Sequence, residues 1–410
     1  MKRRNVIWLL LSAVAMALVL VACGSGSSKS SSGDSSASKS ITVTMALSDE
    51  EWKVMRNDVL PKFQKQSGIK VNAIQVEAGD TIKKLQAQKG AGTAQIDVVA
   101  QDVNNVAQMI SQGLLKDSSA NANIIPAQAI GKIKKSGVYN GKTYLFPYRP
   151  NVEINYYNET IFKKYGLKPP TTWDQLYDTA KTLKEKTGIG RLGFKMTFDG
   201  DPIELVEFIR SAGGDPMKFN DAGTIEAYTF LKKIWPELST DTTKATFSTT
   251  NSFLARDEVY YIPNWPFATN IVVDQGGRKD IKAYKGFSGP KGMVKTLGGE
   301  MLGITANTKK TKQAIEFIKF MESKDTQETL MKKNGWPSFR SDVLGEQTGW
   351  QKPYYEATSE ALKVAQPLPN STTWVQAVQL INEASKKILL QNAPVKATLD
   401  DYGKQIQALK

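Results

Sequence analysis

The sequence predicts an α/β fold in which parallel strands are covered by helices. Three short apolar segments, residues 41–45, 69–76 and 95–100, read as strands. Helical patterns separate them, one after residue 48 and one over residues 81–89. Alternation of strands and helices is typical of a parallel sheet with helices on its faces.

The first helix is predicted to begin at a capping box. Ser48 is followed three residues later by Glu51, the pattern in which each residue caps the other's backbone. Apolar residues at positions 52, 55, 59, 60 and 63 then recur at helical spacing, and Pro61 predicts a kink in this helix.

Polar side chains follow two of the predicted strands. The first strand leads into Glu50, and the third leads into Gln101 and Asp102. In open sheets of this type, ligands bind beyond the carboxyl ends of the strands. We therefore expect these three residues to line a crevice, although Asp102 could simply cap a helix and the other two could be solvated.

The composition excludes several classes of function. The 410-residue chain contains no histidine and a single cysteine. Histidine-dependent nucleophilic catalysis, zinc sites built on His or Cys, and structural disulfides are therefore excluded. We expect no cofactor, no metal and no catalytic residues, although a glycosidase using two carboxylates, for instance Glu50 and Asp102, passes this filter.

The charge balance is strongly basic, with a formal net charge of +14. A basic protein can bind nucleic acid, an anionic membrane or an acidic ligand. Here the lysines fall in short groups, such as the pair Lys332 and Lys333, and no long basic run interleaved with aromatic residues occurs. We interpret these groups as solvated helix faces and expect no nucleic-acid partner.

The amino terminus has the pattern of a secretory signal peptide. Lys2, Arg3 and Arg4 precede an apolar run over residues 6–21. Residues 20–24 read Leu-Val-Ala-Cys-Gly and resemble the lipobox of bacterial lipoproteins, which implies that residues 1–22 are removed and that Cys23 is diacylated. Residues 23–40, rich in serine and glycine, are predicted to form a flexible tether. An uncleaved anchor or an ordinary signal peptide is the alternative.

The rest of the chain resembles a known family over nearly its whole length. The likeness is carried by residues 41–102, 139–158, 169–183, 213–221, 264–267, 297–321 and 334–343. These stretches resemble family 1 extracellular solute-binding proteins, the group that contains maltose-binding protein. The resemblance implies a two-lobed α/β fold of the periplasmic-binding-protein type II, each lobe a sheet flanked by helices.

The same resemblance implies discontinuous lobes with hinge crossings between them. One lobe is predicted over residues 41–150 and 300–343, and the other over residues 151–299 and 344–410. Hinges of this kind absorb the closure of two lobes around a ligand. We expect a monomer that delivers its ligand to the permease subunits of an ABC importer from the outer face of the cell membrane.

A sugar site needs flat aromatic surfaces and a rim of polar groups, and three tryptophans are candidates for the former. Trp265 resembles a tryptophan that stacks on a sugar ring in carbohydrate-binding relatives, with a core or hinge position as the alternative. Trp336 lies between Gly335 and Pro337, and we expect this rigid loop to expose it. Trp374 precedes a predicted helix and could face the cleft from the second lobe.

The two predicted crossings supply the remaining candidates. Tyr148, Arg149 and Asn151 lie at the first crossing, and Glu300 lies at the second. Arg149 departs from what many neutral-sugar binders show. A guanidinium suits a carboxylate or a phosphate as well as vicinal hydroxyls. Glu300 could accept hydrogen bonds from hydroxyls or form a salt bridge with Arg149.

These observations predict a receptor that closes on a sugar or an oligosaccharide as a hinged clamp. Arg149 motivates a second hypothesis, in which the ligand is an anionic or phosphorylated sugar derivative. A surface glycosidase and a structural adhesin are the remaining alternatives.

Overall fold

The computed structural model describes residues 40–76, 78–344 and 349–409. The predicted signal peptide, Cys23 and nearly all of the predicted tether lie outside these residues, so the calls on them stay predictions. In the part that is described, no helix has the length and apolar character needed to cross a membrane.

The strands form two principal sheets and one small hairpin. The strands are β1 Ser40–Met45, β2 Lys70–Gln75, β3 Val98–Asp102, β4 Val138–Tyr139, β5 Lys142–Thr143, β6 Leu145–Val152, β7 Ile154–Asn158, β8 Tyr261–Asn264, β9 Ile281–Tyr284, β10 Lys295–Ile304 and β11 Ala365–Pro367. The first sheet has the order β11-β10-β3-β1-β2, with β6 paired to β10. The second sheet has the order β8-β7-β9.

Helices flank both sheets, as the predicted fold class requires. They are α1 Asp49–Val54, α2 Leu60–Ser67, α3 Ala78–Gly90, α4 Val106–Ser111, α5 Gly131–Ser136, α6 Glu159–Lys164, α7 Trp173–Thr187, α8 Ile203–Ser211, α9 Ala222–Ile234, α10 Thr249–Ala255, α11 Thr311–Met321, α12 Lys324–Asn334, α13 Ser341–Leu344, α14 Lys352–Val364, α15 Trp374–Leu389 and α16 Val395–Gln407.

The parallel sheet predicted for the amino-terminal part is confirmed. Strand β1 pairs in parallel with β2 on one side and with β3 on the other. The third predicted strand lies about three residues later than expected and extends through Asp102. Gln101 and Asp102 therefore belong to the end of the strand itself.

The predicted capping box at the start of α1 is confirmed. The Ser48 side chain accepts a hydrogen bond from the backbone N–H of Glu51, and the Glu51 side chain accepts one from the backbone N–H of Ser48. Instead of a simple kink at Pro61, the chain makes a π-helical turn over Met55–Val59 before α2 begins. Pro61 then lies in the first turn of α2.

The first crossing runs from β6 into β7, which belong to different sheets. The two strands are separated only by Glu153, which is fully buried. Strand β10 pairs antiparallel with β6 over residues 297–303 and parallel with β11 over residues 295–297. The two crossings predicted from the family resemblance therefore lie on strands β6 and β10, which pair with each other. The predicted lobe boundaries stay a prediction.

Two large apolar clusters account for most of the core. One packs the β1 and β3 side of the first sheet against helices and includes Trp52, Phe63 and Phe317. The other lies among α7, α8, α9, α15 and α16 and includes Trp173 and Phe208. Trp52 and Trp173, which lie at regular helical positions, are core residues.

Candidate functional site

Three charged side chains stand next to one another on neighbouring strands. Asp102 of β3 is directly opposite Glu300 of β10, and Glu300 is directly opposite Arg149 of β6. Directly opposed residues of adjacent strands project from the same face of a sheet. The pairing therefore brings together three residues that are far apart in the sequence.

The Arg149 guanidinium is held by two carboxylates. Its Nη1 donates to Glu51 Oε1 at 2.8 Å, and its Nη2 lies 3.2 Å from Glu300 Oε2. Burial alone lowers the pKa of Arg149, but the charges of Glu300 and Glu51 outweigh that effect and raise it. The salt bridge that was one of two predictions for Glu300 is thus present in the structure.

Trp336 also belongs to this cluster, and its indole lies against the Arg149 guanidinium. The Arg149 guanidinium lies 4.5 Å from the centre of the indole, and Trp336 Nε1 donates to Glu51 Oε1 at 2.6 Å. The indole is only 6% exposed and meets Tyr148 edge-on at 5.7 Å. The expectation that the Gly-Trp-Pro loop exposes this indole is wrong, because the cation–π contact and the hydrogen bond to Glu51 turn the ring inward.

Asp102 is half-buried at the end of β3. Its Oδ1 accepts a hydrogen bond from the backbone N–H of Asn104 at 2.8 Å, so that it caps a short helical turn as well as facing Glu300. Burial raises the pKa of Asp102 to about 7, and the charges of Glu300 and Asp201 add to the rise.

Gln101 and Tyr148 are buried beside this row. The Gln101 side-chain oxygen accepts a hydrogen bond from the backbone N–H of Asp102 at 2.9 Å. Its amide nitrogen is buried without a hydrogen-bond partner, and the residue is 1% exposed. Tyr148 is a core residue whose hydroxyl lies 3.6 Å from the sulfur of Met45.

Trp265 and Asn151 meet at Gly298 of β10. Asn151 is opposite Gly298 in the pairing of β6 with β10, and a β-carbon at Gly298 would come within 2.7 Å of the Trp265 ring. Trp265 is half-buried at the end of β8, where its backbone N–H donates to the side chain of Asn264 at 2.9 Å. One half-exposed indole thus lies against the strand that carries Glu300.

The other two candidates are not part of this cluster. Trp374 is 3% exposed at the start of α15 and belongs to the core around α7, α8 and α9. Its indole nitrogen is buried without a partner among the described residues. For Glu50 only the backbone, in α1, is described. Roles of these residues in binding stay predictions, as they do for the rest of the site.

One residue of the cluster was not found by sequence reasoning. Glu51 was identified only as a capping residue, yet its second oxygen holds both Arg149 and Trp336. Among the described residues, no group of three or more acidic or sulfur side chains is arranged to hold a metal ion.

Comparison with known proteins agrees with this architecture. The family described as bacterial extracellular solute-binding proteins matches residues 59–357. The chain belongs to this family. Membership indicates the general class of function, which is the binding of a solute by an extracytoplasmic protein. The proteins of this family act in transport and are not enzymes.

Individual relatives of this solute-binding protein are distant. A protein of Deinococcus radiodurans, described as a probable ABC transporter-binding protein, is 26% identical over 286 residues, which is 63% of this chain and 66% of the relative. The multiple sugar-binding protein of Streptococcus mutans is 27% identical over 220 residues, covering 48% of this chain and 51% of the relative. The matches thus span between half and just under two thirds of these relatives.

The solved structures support the fold over a longer stretch. The maltose-bound MalE3 of T. maritima superposes with a TM-score of 0.76 and covers 90% of this chain and 99% of the other. The two sequences are 21% identical. The predicted two-lobed α/β fold of the periplasmic-binding-protein type is therefore confirmed.

Proposed function

We propose that the protein captures a sugar or an oligosaccharide beside Asp102, Glu300 and Trp265 and delivers it to an ABC importer. The observation that carries the proposal is the row of charged side chains on β3, β10 and β6 next to a half-buried indole. Carboxylates can accept hydrogen bonds from hydroxyl groups, and an indole face can cover the apolar C–H face of a sugar ring. The sugar-binding relatives support the same class of ligand.

Closure of two lobes about β6 and β10 is the proposed mechanism of capture. Both strands lie at the crossing, and Asp102 lies beside them on β3, opposite Glu300. A ligand that contacts both sides stabilises the closed arrangement by its differential affinity for it. In this scheme the carboxylates bind and orient the ligand, and no bond of the ligand is broken.

The proposed location follows from the predicted leader. Diacylation of Cys23 would hold the protein at the outer face of the membrane, with residues 24–40 as a tether. Two acyl chains give stable anchoring, at about 0.8 kcal/mol for each buried methylene group. We propose that the tethered protein acts as a monomer beside its permease.

Thermal unfolding in the presence of a sugar panel tests the proposed ligand class. A sugar at 100 times its dissociation constant should stabilise the protein by about 2.7 kcal/mol, and the shift should grow with the logarithm of concentration. Trp265→Ala should lose most of this shift, whereas the control Trp350→Ala, which removes an exposed indole of a different region, should retain it. If no member of a broad panel shifts the unfolding temperature, the protein is not a sugar receptor.

Recovery of the ligand separates a receptor from a glycosidase. A bound oligosaccharide should be recovered intact after prolonged incubation with the protein, as judged by mass spectrometry. Release of shorter sugars that is lost in Asp102→Asn would instead establish hydrolysis.

A further inference from the structure

The amino ends of three strands meet at the edge of the first sheet that lies opposite the crevice beside Asp102 and Glu300. Because β1, β2 and β3 are parallel, their carboxyl ends lie together at one edge and their amino ends at the other. Strand β10 is antiparallel to β3, so its carboxyl end lies with their amino ends. The backbone N–H of Lys116 donates to the oxygen of Ile304, the last residue of β10, at 2.8 Å. We call this region the basal edge, and it consists of residues 65–70, 89–97, 113–116 and 305–312.

The basal edge is strongly basic. Seven lysines fall within its four segments, together with the single carboxylate of Asp97. Asp97 is fully buried and is paired with Lys310 at 3.3 Å. Asp117, the next carboxylate along the chain, is paired with Lys142 at 3.0 Å. Four of the lysines are only partly buried or exposed and form no ion pair with any residue that the structure describes, namely Lys65, Lys70, Lys309 and Lys312.

The opposite edge of the same sheet carries an excess of negative charge. Asp49 and Glu51 follow the carboxyl end of β1, and Asp102 ends β3 opposite Glu300. Arg149 is the cation that Glu51 and Glu300 share. An anionic surface therefore attracts the basal edge and repels the crevice, which gives the first sheet a preferred orientation in its field.

The predicted tether joins the fold at the basal edge. Ser40 begins β1 and is opposite Lys70 of β2. A flexible tether over residues 24–40 has a typical end-to-end distance of about 20–25 Å. A lipid at Cys23 would therefore keep the basal edge close to the membrane, where tethering gives its lysines a high effective concentration at the lipid surface.

We propose that the basal edge binds the anionic phospholipid surface of the cell membrane, so that the crevice faces away from the membrane while the protein awaits its ligand. This inference rests on the proposed location and goes beyond it, because a flexible anchor alone leaves the orientation free. In the order of the sheet, β1 lies between β2 and the pair β3 and β10. Lys70 and Lys309 therefore lie on opposite sides of the point where the tether enters.

The proposed contact is electrostatic and reversible. Each lysine near an anionic bilayer adds to the attraction, which falls off within a Debye length of about 8 Å at physiological salt. The protein can then leave the surface and turn on its tether to present the crevice to the permease.

A fluorescent label at an introduced cysteine reports which edge touches the membrane. Gln66→Cys places the label on the basal edge, and Asp49→Cys places it at the opposite edge, where both positions are exposed. Cys23 is the only cysteine of the chain, and the predicted acylation removes its thiol. The lipidated protein would be inserted through its acyl chains into preformed vesicles that contain a headgroup quencher.

Vesicles of phosphatidylcholine that contain phosphatidylglycerol would be compared with vesicles of phosphatidylcholine alone. On the anionic vesicles the label at Gln66→Cys should be quenched at least about twofold more strongly than the label at Asp49→Cys. This difference should be much smaller on the neutral vesicles. It should also shrink to the neutral level at about 1 M salt, where the Debye length is about 3 Å.

Charge variants test whether the position of the lysines produces the contact. Replacing Lys65, Lys70, Lys309 and Lys312 by glutamine should reduce the quenching at Gln66→Cys to the level on neutral vesicles. The matched control removes the same charge from exposed lysines outside the basal edge, namely Lys168, Lys186, Lys218 and Lys404. The control should keep the quenching. Neither set lies in the crevice, so a ligand should still raise the unfolding temperature of both variants.

The possible outcomes separate this inference from the proposed function. Quenching at Gln66→Cys that is equal on anionic and neutral vesicles, or that survives the loss of the four basal lysines, would overturn the inference and leave ligand capture standing. If mass spectrometry finds no acyl group on Cys23, the proposed anchor fails by itself, and flotation of the same protein with phosphatidylglycerol vesicles decides the inference. The wild type should then float with the vesicles, and the variant that lacks the four basal lysines should not.

Discussion

The indole of Trp265 covers the α-carbon of Gly298 so closely that no side chain fits between them. A β-carbon at Gly298 would lie 2.7 Å from Cη2 and 3.0 Å from Cζ3 of the indole. The neighbouring Gly299 is constrained in a different way. Its φ is +100°, and a β-carbon there would lie 2.0 Å from the backbone oxygen of Arg149. Gly298 thus leaves room for the Trp265 indole, and Gly299 leaves room for the backbone at Arg149.

Gly298→Ala should weaken sugar binding more than it weakens the fold. The added methyl group displaces the half-buried indole, which can move toward solvent, so we expect about a tenfold loss of affinity with about 1 kcal/mol or less lost in the free energy of unfolding. Gly299→Ala should instead cost about 3 kcal/mol or more, since strain and a backbone collision act together. Calorimetry and urea unfolding of both variants would measure the contrast, and an unaltered affinity in Gly298→Ala would remove Trp265 from the site.

Arg149→Met should destabilise the protein by leaving two partly buried glutamates without their cation. Breaking a buried ion pair costs about 3–5 kcal/mol, and we expect the lower end of that range because the Arg149 side chain is 19% exposed. The surface control Arg256→Met, which breaks an exposed pair with Glu258, should cost less than about 1 kcal/mol.

A second substitution should recover part of this loss. Combining Arg149→Met with Glu300→Gln removes one of the unpaired charges, so the double variant should be more stable than Arg149→Met alone. Urea unfolding of the single and double variants would measure this coupling. Additive losses would mean that the two residues do not interact energetically.

The capping box shows how far the sequence could predict this site. Ser48 and Glu51 gave a local signal, since a cap depends on residues three positions apart, and the helix start followed from it. The second role of Glu51 depends on Arg149 and Trp336, which are 98 and 285 positions away. No local pattern contains such contacts, so only the folded chain brings these residues together.

The same reasoning explains the error at Trp336. A Gly-Trp-Pro loop is rigid by composition, but rigidity does not decide whether the ring turns toward solvent or toward a guanidinium. Asp102 was found because the end of a strand is a local feature.

Cys23→Ala should remove the lipid anchor of the protein. Without a thiol at position 23 no diacylglyceryl group can be attached, and the serine- and glycine-rich tether has no apolar side chain other than Ala37 with which to bind lipid. We expect the variant in the soluble extracytoplasmic fraction or retained as an unprocessed precursor. Cell fractionation with immunoblotting, and mass spectrometry of the wild-type amino terminus, would measure this. A Ser27→Ala variant in the tether is the control, and a Cys23→Ala protein that is cleaved like the wild type and still retained in the membrane would contradict the lipobox.

Glu322→Gln should stabilise the protein at alkaline pH. Glu322 is 1% exposed, and neither of its carboxylate oxygens has a hydrogen-bond partner. Arg340 donates to the backbone oxygen of Glu322 at 3.0 Å, while its other nitrogens are held by Asp342. Burial raises the pKa of Glu322 from 4.5 to about 9, against the smaller opposing effect of Arg340.

The direction of this pH effect follows from proton uptake. Between pH 4.5 and about 9 the unfolded chain has lost the Glu322 proton while the native chain keeps it, so this group lowers the free energy of unfolding as pH rises, by up to about 1.4 kcal/mol per pH unit. Glu322→Gln removes this dependence. It should be about 1–3 kcal/mol more stable than the wild type at pH 8 and nearly equal to it at pH 5. Urea unfolding across this range would measure the difference, with Glu316→Gln on the exposed side of α11 as the control. Parallel pH profiles for Glu322→Gln and the wild type would show that Glu322 is ionised in the native protein.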